Sequence, residues 1–206
     1  MATPDRLTVV IPTMPQRLDV LGTLLERLKA FPWADVRIST HVDSRLDTAR
    51  AVALASVYSR LDWFLYLQDD VELSPRFDEV PRIIGEASRI SQRGKRIGAV
   101  SFFRQADDLG DGLSIIPAAK FCMAQCMALR GAEPLAFASF ARGWYAQHPQ
   151  HKSAVDYLLA AWTAHQGELI AIYSPSLVQH LPLPSTLGSR SRFRQSKSYP
   201  RALANG

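Results

Sequence analysis

The chain has 206 residues, of which 47% are hydrophobic and 21% are charged, which is ordinary for one globular domain with a substantial core. Two cysteines, Cys122 and Cys126, exclude a disulfide framework and a four-cysteine zinc site, so we expect both to be reduced and buried. No apolar stretch approaches the roughly 20 residues of a membrane helix, and the N-terminus lacks the apolar core of a secretion signal. These features predict a cytoplasmic protein without a membrane span.

The net charge of +5 is concentrated at the C-terminal end of the chain. From Leu181 to Gly206 there is no acid and there are five basic residues, which are Arg190, Arg192, Arg194, Lys197 and Arg201. Subtracting these five charges from the total leaves residues 1–180 formally neutral. We expect residues 190–206 to form a basic, flexible tail that contacts phosphates or merely keeps the protein in solution.

Apolar strands and amphipathic helices alternate along the chain. The first strand covers residues 7–11 and is ended by Pro12, and leucines at helical spacing predict a helix over residues 16–30. Further strands are predicted over residues 36–42, 63–67, 97–103, within 119–130 and over 169–173, and further helices over 46–59, 77–90, 133–147 and 153–166. Strands alternating with helices predict right-handed crossovers and one α/β domain with a mainly parallel sheet flanked by helices.

The third predicted strand, residues 63–67, is followed directly by acids. Five consecutive apolar residues indicate a strand that is buried on both faces of the sheet. Asp69, Asp70 and Glu72 come next, at the carboxyl end of the strand, where open α/β sheets bind ligands. Adjacent carboxylates suit Mg²⁺ or Mn²⁺, which would in turn hold the phosphates of a substrate. The alternative is a solvated acidic turn.

Three segments resemble the nucleotide-sugar glycosyltransferases of the GT-A fold. Residues 9–13 with Arg17 resemble the first strand and nucleotide-binding turn of that family. Residues 66–71 are similar to its acidic DxD or EDD metal motif, although Gln68 stands where many relatives have an acid. Residues 173–180 look like the late "PSLVQH" segment, whose histidine commonly completes the metal site. The resemblance implies a single Rossmann-like GT-A domain over residues 1–189, followed by the basic tail.

The resemblance also implies site residues. It places Asp70, Asp69 and His180 at a Mn²⁺ or Mg²⁺ ion, although a structural role for His180 remains an alternative. The residues implied at the nucleotide-sugar are Pro12, Thr13, Arg17, Asp43, Arg50, Gln68, Asp69, Ser185 and Thr186. Asp43 could instead cap the helix that follows it, and Arg50 could lie on a solvated helix face.

Relatives carry a catalytic base near the start of a late helix, and Asp156 matches that position. A carboxylate there would take the proton of the acceptor hydroxyl during an inverting transfer, and a retaining reaction is the alternative. Ser153 and Asp156 also read as a capping box, which would make the acid structural. The candidate acceptor contacts are Trp144, Tyr145, Arg192 and Arg194, and the two aromatic residues could instead belong to the core.

The resulting hypothesis is a metal-dependent glycosyltransferase that moves a sugar from a nucleotide-sugar, with UDP-sugar the expected donor, to a hydroxyl acceptor. The basic tail favours a polyanionic acceptor such as a hydroxymethylated DNA base of the phage type, in the host-cell cytoplasm if the chain is phage-encoded. One alternative acceptor is a cell-surface glycan or lipid. A sugar nucleotidyltransferase is a further alternative, but it normally has a glycine-rich loop after its first strand. Residues 12–22 contain a single glycine, Gly22, which argues against this class. A non-catalytic nucleic-acid-binding module would not explain Asp69, Asp70 and His180.

Overall fold

The computed structural model describes residues 6–40, 63–106, 110–121, 123–131, 134–149, 155–183 and 195–200. The strands are β1 (Leu7–Thr13), β2 (Ala34–Thr40), β3 (Trp63–Leu67), β4 (Val71–Leu73), β5 (Ser91–Gln92), β6 (Lys95–Ser101), β7 (Gly112–Ile116), β8 (Cys126–Arg130), β9 (Leu169–Ser174) and β10 (Val178–His180). The α-helices are α1 (Leu18–Leu28), α2 (Val80–Ala87), α3 (Pro134–Gln147) and α4 (Val155–His165). The helix predicted over residues 46–59 lies outside the described residues.

One central sheet organises the described part of the chain, with the strand order β2-β1-β3-β8-β6-β9-β7 and the short strand β5 beside β6. Strand β1 is parallel to β2 and β3, and β6 is parallel to β9. Strand β8 runs antiparallel between β3 and β6, and β7 runs antiparallel to β9. Five of these strands therefore point in one direction, and the predicted α/β class with a mainly parallel sheet flanked by helices is confirmed.

The core lies on both faces of the sheet. On one face, buried residues of β1, β3 and β6 pack against apolar side chains of α1 and α2. On the other face, Phe64 and Tyr66 of β3 and Met127 of β8 pack against side chains of α3 and α4. Strand β3 is buried along its whole length because it contributes alternate side chains to the two layers.

Strand β1 is longer than the sequence predicts, and the expectation that Pro12 ends it is wrong. The strand pairs with β2 from Leu7 to Thr13, so that Pro12 lies opposite Ser39. Its pairing with β3 covers only Thr8 to Val10. Beyond Val10 the strand therefore has a neighbour on one side only, a setting in which proline is tolerated because no donor is needed on the open side.

A second, two-stranded sheet lies beside the end of β3. Strand β4 pairs antiparallel with β10, and this pairing places His180 opposite Val71. Neither strand is predicted from the sequence, because three residues are too short to show a period. The pairing brings the late segment of the chain next to the acids that follow β3.

The C-terminal segment Gln195–Pro200 packs against the domain and differs from the flexible tail that the sequence predicts over these six residues. The side-chain amide of Gln179 accepts a hydrogen bond from the backbone N–H of Ser196 at 2.8 Å and donates one to its carbonyl at 3.2 Å. Ser196 also donates from its hydroxyl to that of Ser176 at 2.7 Å, and Tyr199 is largely buried. In the described part of the chain, no helix has the length and apolarity needed to cross a membrane.

Candidate functional site

The carboxyl ends of β1 and β3 meet at one edge of the central sheet. Because these strands are parallel neighbours, the residues that follow them come together. Thr13, at the end of β1, donates a hydrogen bond from its hydroxyl to Oδ2 of Asp69 at 2.7 Å. Asp69, the first acid after β3, therefore points towards the end of β1. The residues that follow the two strands belong to one site.

Arg17 lies between the two acids. Its Nη1 donates to Oδ1 of Asp69 at 3.0 Å and forms a second ion pair with Oδ2 of Asp70. The Arg17 side chain is 12% exposed and the two carboxylates are each 8% exposed, so water screens these charges poorly. The positive charge that paired buried acids require is therefore supplied by Arg17.

His180 lies beside the same acids. Its Nε2 is 3.5 Å from Oδ2 of Asp70, and the backbone N–H of Leu181 donates to the carbonyl oxygen of Asp70 at 2.8 Å. The antiparallel pairing of β10 with β4 produces this contact, because it aligns His180 with the residue that follows Asp70. The predicted proximity of Asp70 and His180 is thus present in the structure.

Two polar atoms of this pair, Oδ1 of Asp70 and Nδ1 of His180, are buried and have no hydrogen-bond partner among the described residues. A carboxylate oxygen and an imidazole nitrogen are suitable ligands for Mn²⁺ or Mg²⁺, which commonly take one or two protein ligands and complete their shell with phosphates and water. No group of three or more histidine, cysteine, aspartate or glutamate side chains suited to a metal occurs among the described residues. The structure thus offers one carboxylate oxygen and one imidazole nitrogen as donors, and an ion there would need phosphate or water oxygens to complete its shell.

Burial raises the pKa of Asp69 above its ordinary value. The hydrogen bond from Thr13 and the charge of Arg17 oppose this effect, and the neighbouring charge of Asp70 adds to it. Burial thus disfavours the charged form of Asp69, and the charge of Arg17 favours it.

Tyr66 connects these acids with Asp156 and was missed by the reasoning from sequence. Burial raises its pKa strongly, a hydrogen bond with the Gln68 side chain opposes the shift, and the charges of Asp70, Asp69 and Asp156 add to it. The phenol of Tyr66 therefore stays protonated. The charges of the acids after β3 and the charge of Asp156 both act on it. Its position two residues before Gln68 in a buried strand is the signal that could have identified it.

Asp156 lies in the first turn of α4, where its Oδ1 accepts a hydrogen bond from the backbone N–H of Tyr157 at 3.2 Å. Burial raises the pKa of Tyr145 to about 12, and the charge of Asp156 contributes to that shift. The charge of Asp156 thus acts on both Tyr66 and Tyr145, and these two residues belong, with Val155, to the apolar cluster on the face of the sheet that α3 and α4 cover. Ser153 lies outside the described residues, so the capping box stays a prediction.

Trp144, also predicted at the acceptor, packs against Tyr145 with ring centroids 5.3 Å apart. It stacks on His148 with ring centroids 4.6 Å apart. It also lines a groove formed by α3 and the end of α4, together with Phe140 and His165. The two aromatic residues predicted at the acceptor therefore lie side by side and pack against one core cluster.

Pro12 is the remaining predicted site residue in the described part of the chain. Pro12 is half-buried in β1, directly before Thr13. Six predicted residues lie outside the described part of the chain, and these are Asp43, Arg50, Ser185, Thr186, Arg192 and Arg194.

Gln125 is a second residue that reasoning from sequence missed. It immediately precedes β8 and is 2% exposed, and in the described part of the chain its buried side-chain Oε1 has no hydrogen-bond partner. Its backbone carbonyl accepts a hydrogen bond from the N–H of Gln68 at 2.9 Å, which places it beside the acidic turn. An isolated glutamine in the otherwise apolar segment 121–129 is the signal that could have identified it.

Comparison with known proteins gives likenesses in structure. No family model and no curated protein sequence matches the chain. The chain is similar to the crystal structure of a glycosyltransferase involved in the glycosylation of the major capsid of PBCV-1, with a TM-score of 0.51 and 12% identity over 87% of this chain and 94% of that one.

Two further structures are more distant. They are A197 from STIV, with a TM-score of 0.47, 11% identity and coverage of 85% of each chain, and a CMP:2-keto-3-deoxy-manno-octonic acid synthetase complexed with CTP, with a TM-score of 0.45, 9% identity and coverage of 82% of this chain and 89% of that one. The likeness to the capsid-related glycosyltransferase concerns the fold, and the arrangement of strands and helices in this chain is that of a Rossmann-like glycosyltransferase fold.

Proposed function

We propose that this protein is a metal-dependent glycosyltransferase that moves a sugar from a nucleotide-sugar, most simply a UDP-sugar, to a hydroxyl acceptor. The observation that carries the proposal is the contact between Asp70 and His180 at the carboxyl end of β3. These residues are 110 positions apart in the sequence, and within the described part of the chain each keeps one buried polar atom without a hydrogen-bond partner. A carboxylate beside an imidazole at the ligand-binding edge of an α/β sheet suits a cation that holds a diphosphate.

Asp70 and His180 would hold a Mn²⁺ or Mg²⁺ ion, with Asp69 behind them. Such an ion supplies positive charge that stabilises the nucleoside diphosphate as it leaves. Asp69 keeps Arg17 in place, because Arg17 bonds to both carboxylates. A guanidinium can bind phosphate oxygens with two parallel hydrogen bonds, so Arg17 is the residue we assign to the diphosphate of the donor. Thr13 orients Asp69 through its hydroxyl.

Asp156 is the residue that we assign as general base. The proton of the acceptor hydroxyl passes to the Asp156 carboxylate while the hydroxyl oxygen forms a bond to the anomeric carbon of the sugar. The bond from that carbon to the diphosphate oxygen breaks, and its electron pair leaves with the diphosphate. The electrostatic reach of Asp156 to Tyr66, which also senses Asp69 and Asp70, supports a common site for the base and the donor.

The acceptor that we propose is a polyanion, with a hydroxymethylated DNA base as the specific candidate and a cell-surface glycan or lipid as the alternative. The support is the excess of basic residues after Leu181. Tyr199 does not add a free aromatic surface to this tail, because it is largely buried and lies near Arg27 and Glu72.

A screen of nucleotide-sugar hydrolysis, read by released nucleoside diphosphate, tests the proposal. We expect Mn²⁺-dependent release with at least one UDP-sugar. Asp70→Ala should abolish that release and keep the circular dichroism spectrum of the wild type. Asp78→Ala is the matched control, because Asp78 is exposed and lies away from the acids after β3. Full activity of Asp70→Ala, or of the wild type in excess chelator, would refute the metal mechanism.

The same assay separates a sugar nucleotidyltransferase from a glycosyltransferase. A nucleotidyltransferase would release pyrophosphate from a nucleoside triphosphate in the presence of a sugar phosphate and would leave nucleotide-sugars intact. The turn after β1 contains no glycine between Pro12 and Leu21, which disfavours a glycine-rich phosphate loop at this position.

A further inference from the structure

Gln125 carries a buried side-chain amide that the mechanism above does not use. Only 2% of the residue is exposed, and no described residue donates a hydrogen bond to its buried Oε1. A buried acceptor without a partner is costly, and proteins accept this cost mainly where a ligand or a bound water completes the hydrogen bond. Its neighbours in the fold show which ligand is expected there.

Gln125 lies next to the residues that connect the proposed donor and acceptor sides. Its backbone carbonyl accepts a hydrogen bond from the N–H of Gln68, the residue directly before Asp69. The side chain of Gln68 bonds to Tyr66, and Tyr66 belongs to the same apolar cluster as Val155, the residue before Asp156. Gln68 and Tyr66 therefore connect the acids after β3 with the start of α4, and Gln125 is in contact with Gln68.

A nucleotide-sugar bound for transfer places its sugar between those two points. The diphosphate must lie at the cation and the anomeric carbon must face the acceptor hydroxyl. The substituents of a sugar ring are hydroxyl groups or, in an acetamido sugar, an amide group. Both O–H and amide N–H can donate a hydrogen bond. An amide oxygen is an acceptor that matches these donors.

We infer that Gln125 is a specificity-determining residue whose side-chain oxygen accepts a hydrogen bond from a hydroxyl or amide group of the transferred sugar. The inference rests on the proposed function. Gln125 fixes which sugar is held, while Asp70, His180 and Arg17 hold the nucleoside diphosphate that all donors share. A site built to bond a sugar hydroxyl discriminates strongly against sugars that lack it, because the buried oxygen is then left without a partner.

The test is calorimetry of the full chain in Mn²⁺, with UDP and with UDP-glucose, UDP-galactose and UDP-N-acetylglucosamine as separate probes. The wild type should bind at least one of these nucleotide-sugars more tightly than UDP. Gln125→Met keeps the length of the side chain and removes the amide, so it should lose about fivefold in affinity for that nucleotide-sugar and keep the wild-type affinity for UDP. Gln92→Met, on the exposed strand β5, should match the wild type with every probe.

Thermal unfolding of the unliganded variant checks for a purely structural role. Gln125→Met removes a buried oxygen that has no hydrogen-bond partner among the described residues, so the melting temperature of the variant should stay close to that of the wild type. A lower melting temperature with an unchanged preference for the sugar would overturn the inference. So would a wild type that binds UDP but gains nothing from any sugar, and that result leaves the proposed function standing. A wild type that binds neither UDP nor the nucleotide-sugars would overturn both.

Discussion

Arg17 is the cation that pairs with both Asp69 and Asp70 in the folded protein. Its guanidinium bonds to both carboxylates, and all three side chains are largely withdrawn from water. A buried ion pair contributes little net stability, but removing one partner leaves an uncompensated charge and is strongly destabilising. In this site the loss of Arg17 would leave two adjacent carboxylates together.

We therefore expect Arg17→Met to lower the free energy of unfolding at neutral pH by about 3 kcal/mol, measured by urea denaturation without divalent ions. Arg37→Met is the matched control. Arg37 forms an exposed ion pair with Asp35, and its replacement should cost only about 0.5 kcal/mol. Equal small losses in the two variants would show that Arg17 does not neutralise the acids.

The free energy of unfolding of Arg17→Met should depend on pH differently from that of the wild type. Burial raises the pKa of Asp69 in the folded protein above its ordinary value. Protonation of Asp69 therefore favours the folded state, and this contribution is present at low pH and is lost as the pH rises through the raised pKa. Without Arg17 the pKa should rise further, so the stability deficit of Arg17→Met should shrink on acidification from about pH 7 to about pH 4. A deficit that stays constant over this interval would contradict this assignment.

At the scale of secondary structure, strand β10 links the site to the C-terminal segment. His180 contacts Asp70, while its neighbour Gln179 forms two hydrogen bonds with the backbone of Ser196. Successive side chains of a strand point to opposite faces, so one short strand contacts the acids on one side and holds residues 195–200 on the other. The hydroxyl of Ser176 reinforces this contact.

Gln179→Met should release that segment. Two hydrogen bonds of about 1 kcal/mol each hold it, so amide hydrogen exchange of the peptide that contains Ser196 should accelerate by at least about tenfold. Exchange in β3 should stay at the wild-type rate. Gln92→Met serves again as the control, because Gln92 is exposed. Unchanged exchange of the C-terminal peptide in Gln179→Met would rule out this anchoring role.

Long apolar elements are predictable from the sequence, and short polar ones are not. Strand β3 is predicted with its observed bounds, because five consecutive apolar residues carry a strong signal. The helix predicted over residues 133–147 corresponds to α3 for the same reason. Strands β4 and β10 have three residues each and no period of their own. Their pairing depends on where the chain returns after β9, which local sequence does not encode.

The candidate site follows the same division. The family resemblance places Thr13, Arg17 and Asp69 at one nucleotide-sugar, and the hydrogen bond from Thr13 to Asp69 joins two of these residues. The bridging position of Arg17 and the isolated amide of Gln125 depend on side-chain packing between distant segments. Sequence spacing indicates which strand ends come together, but not which side chains remain without a partner.

At the scale of the whole molecule, the proposal of a polyanionic acceptor rests on the uneven charge of the sequence. The double variant Arg192→Gln and Arg194→Gln removes two positive charges and leaves the Gln179–Ser196 contact intact. If these residues contact DNA phosphates, the logarithm of DNA affinity should fall less steeply with the logarithm of salt concentration, by about 0.9 for each lost contact. Binding to duplexes with and without hydroxymethylated bases measures this slope. An unchanged slope would exclude the two arginines from the acceptor contact.

The most direct test of the proposed site is calorimetric titration of UDP into the protein with Mn²⁺ and with chelator. If Asp70 and His180 hold a cation that binds the diphosphate, Mn²⁺ should increase the affinity for UDP in the wild type and in the control Asp78→Asn. That gain should disappear in Asp70→Asn and in His180→Ala. Equal UDP affinity with Mn²⁺ and with chelator, or a gain that persists without Asp70, would contradict the proposed cation site.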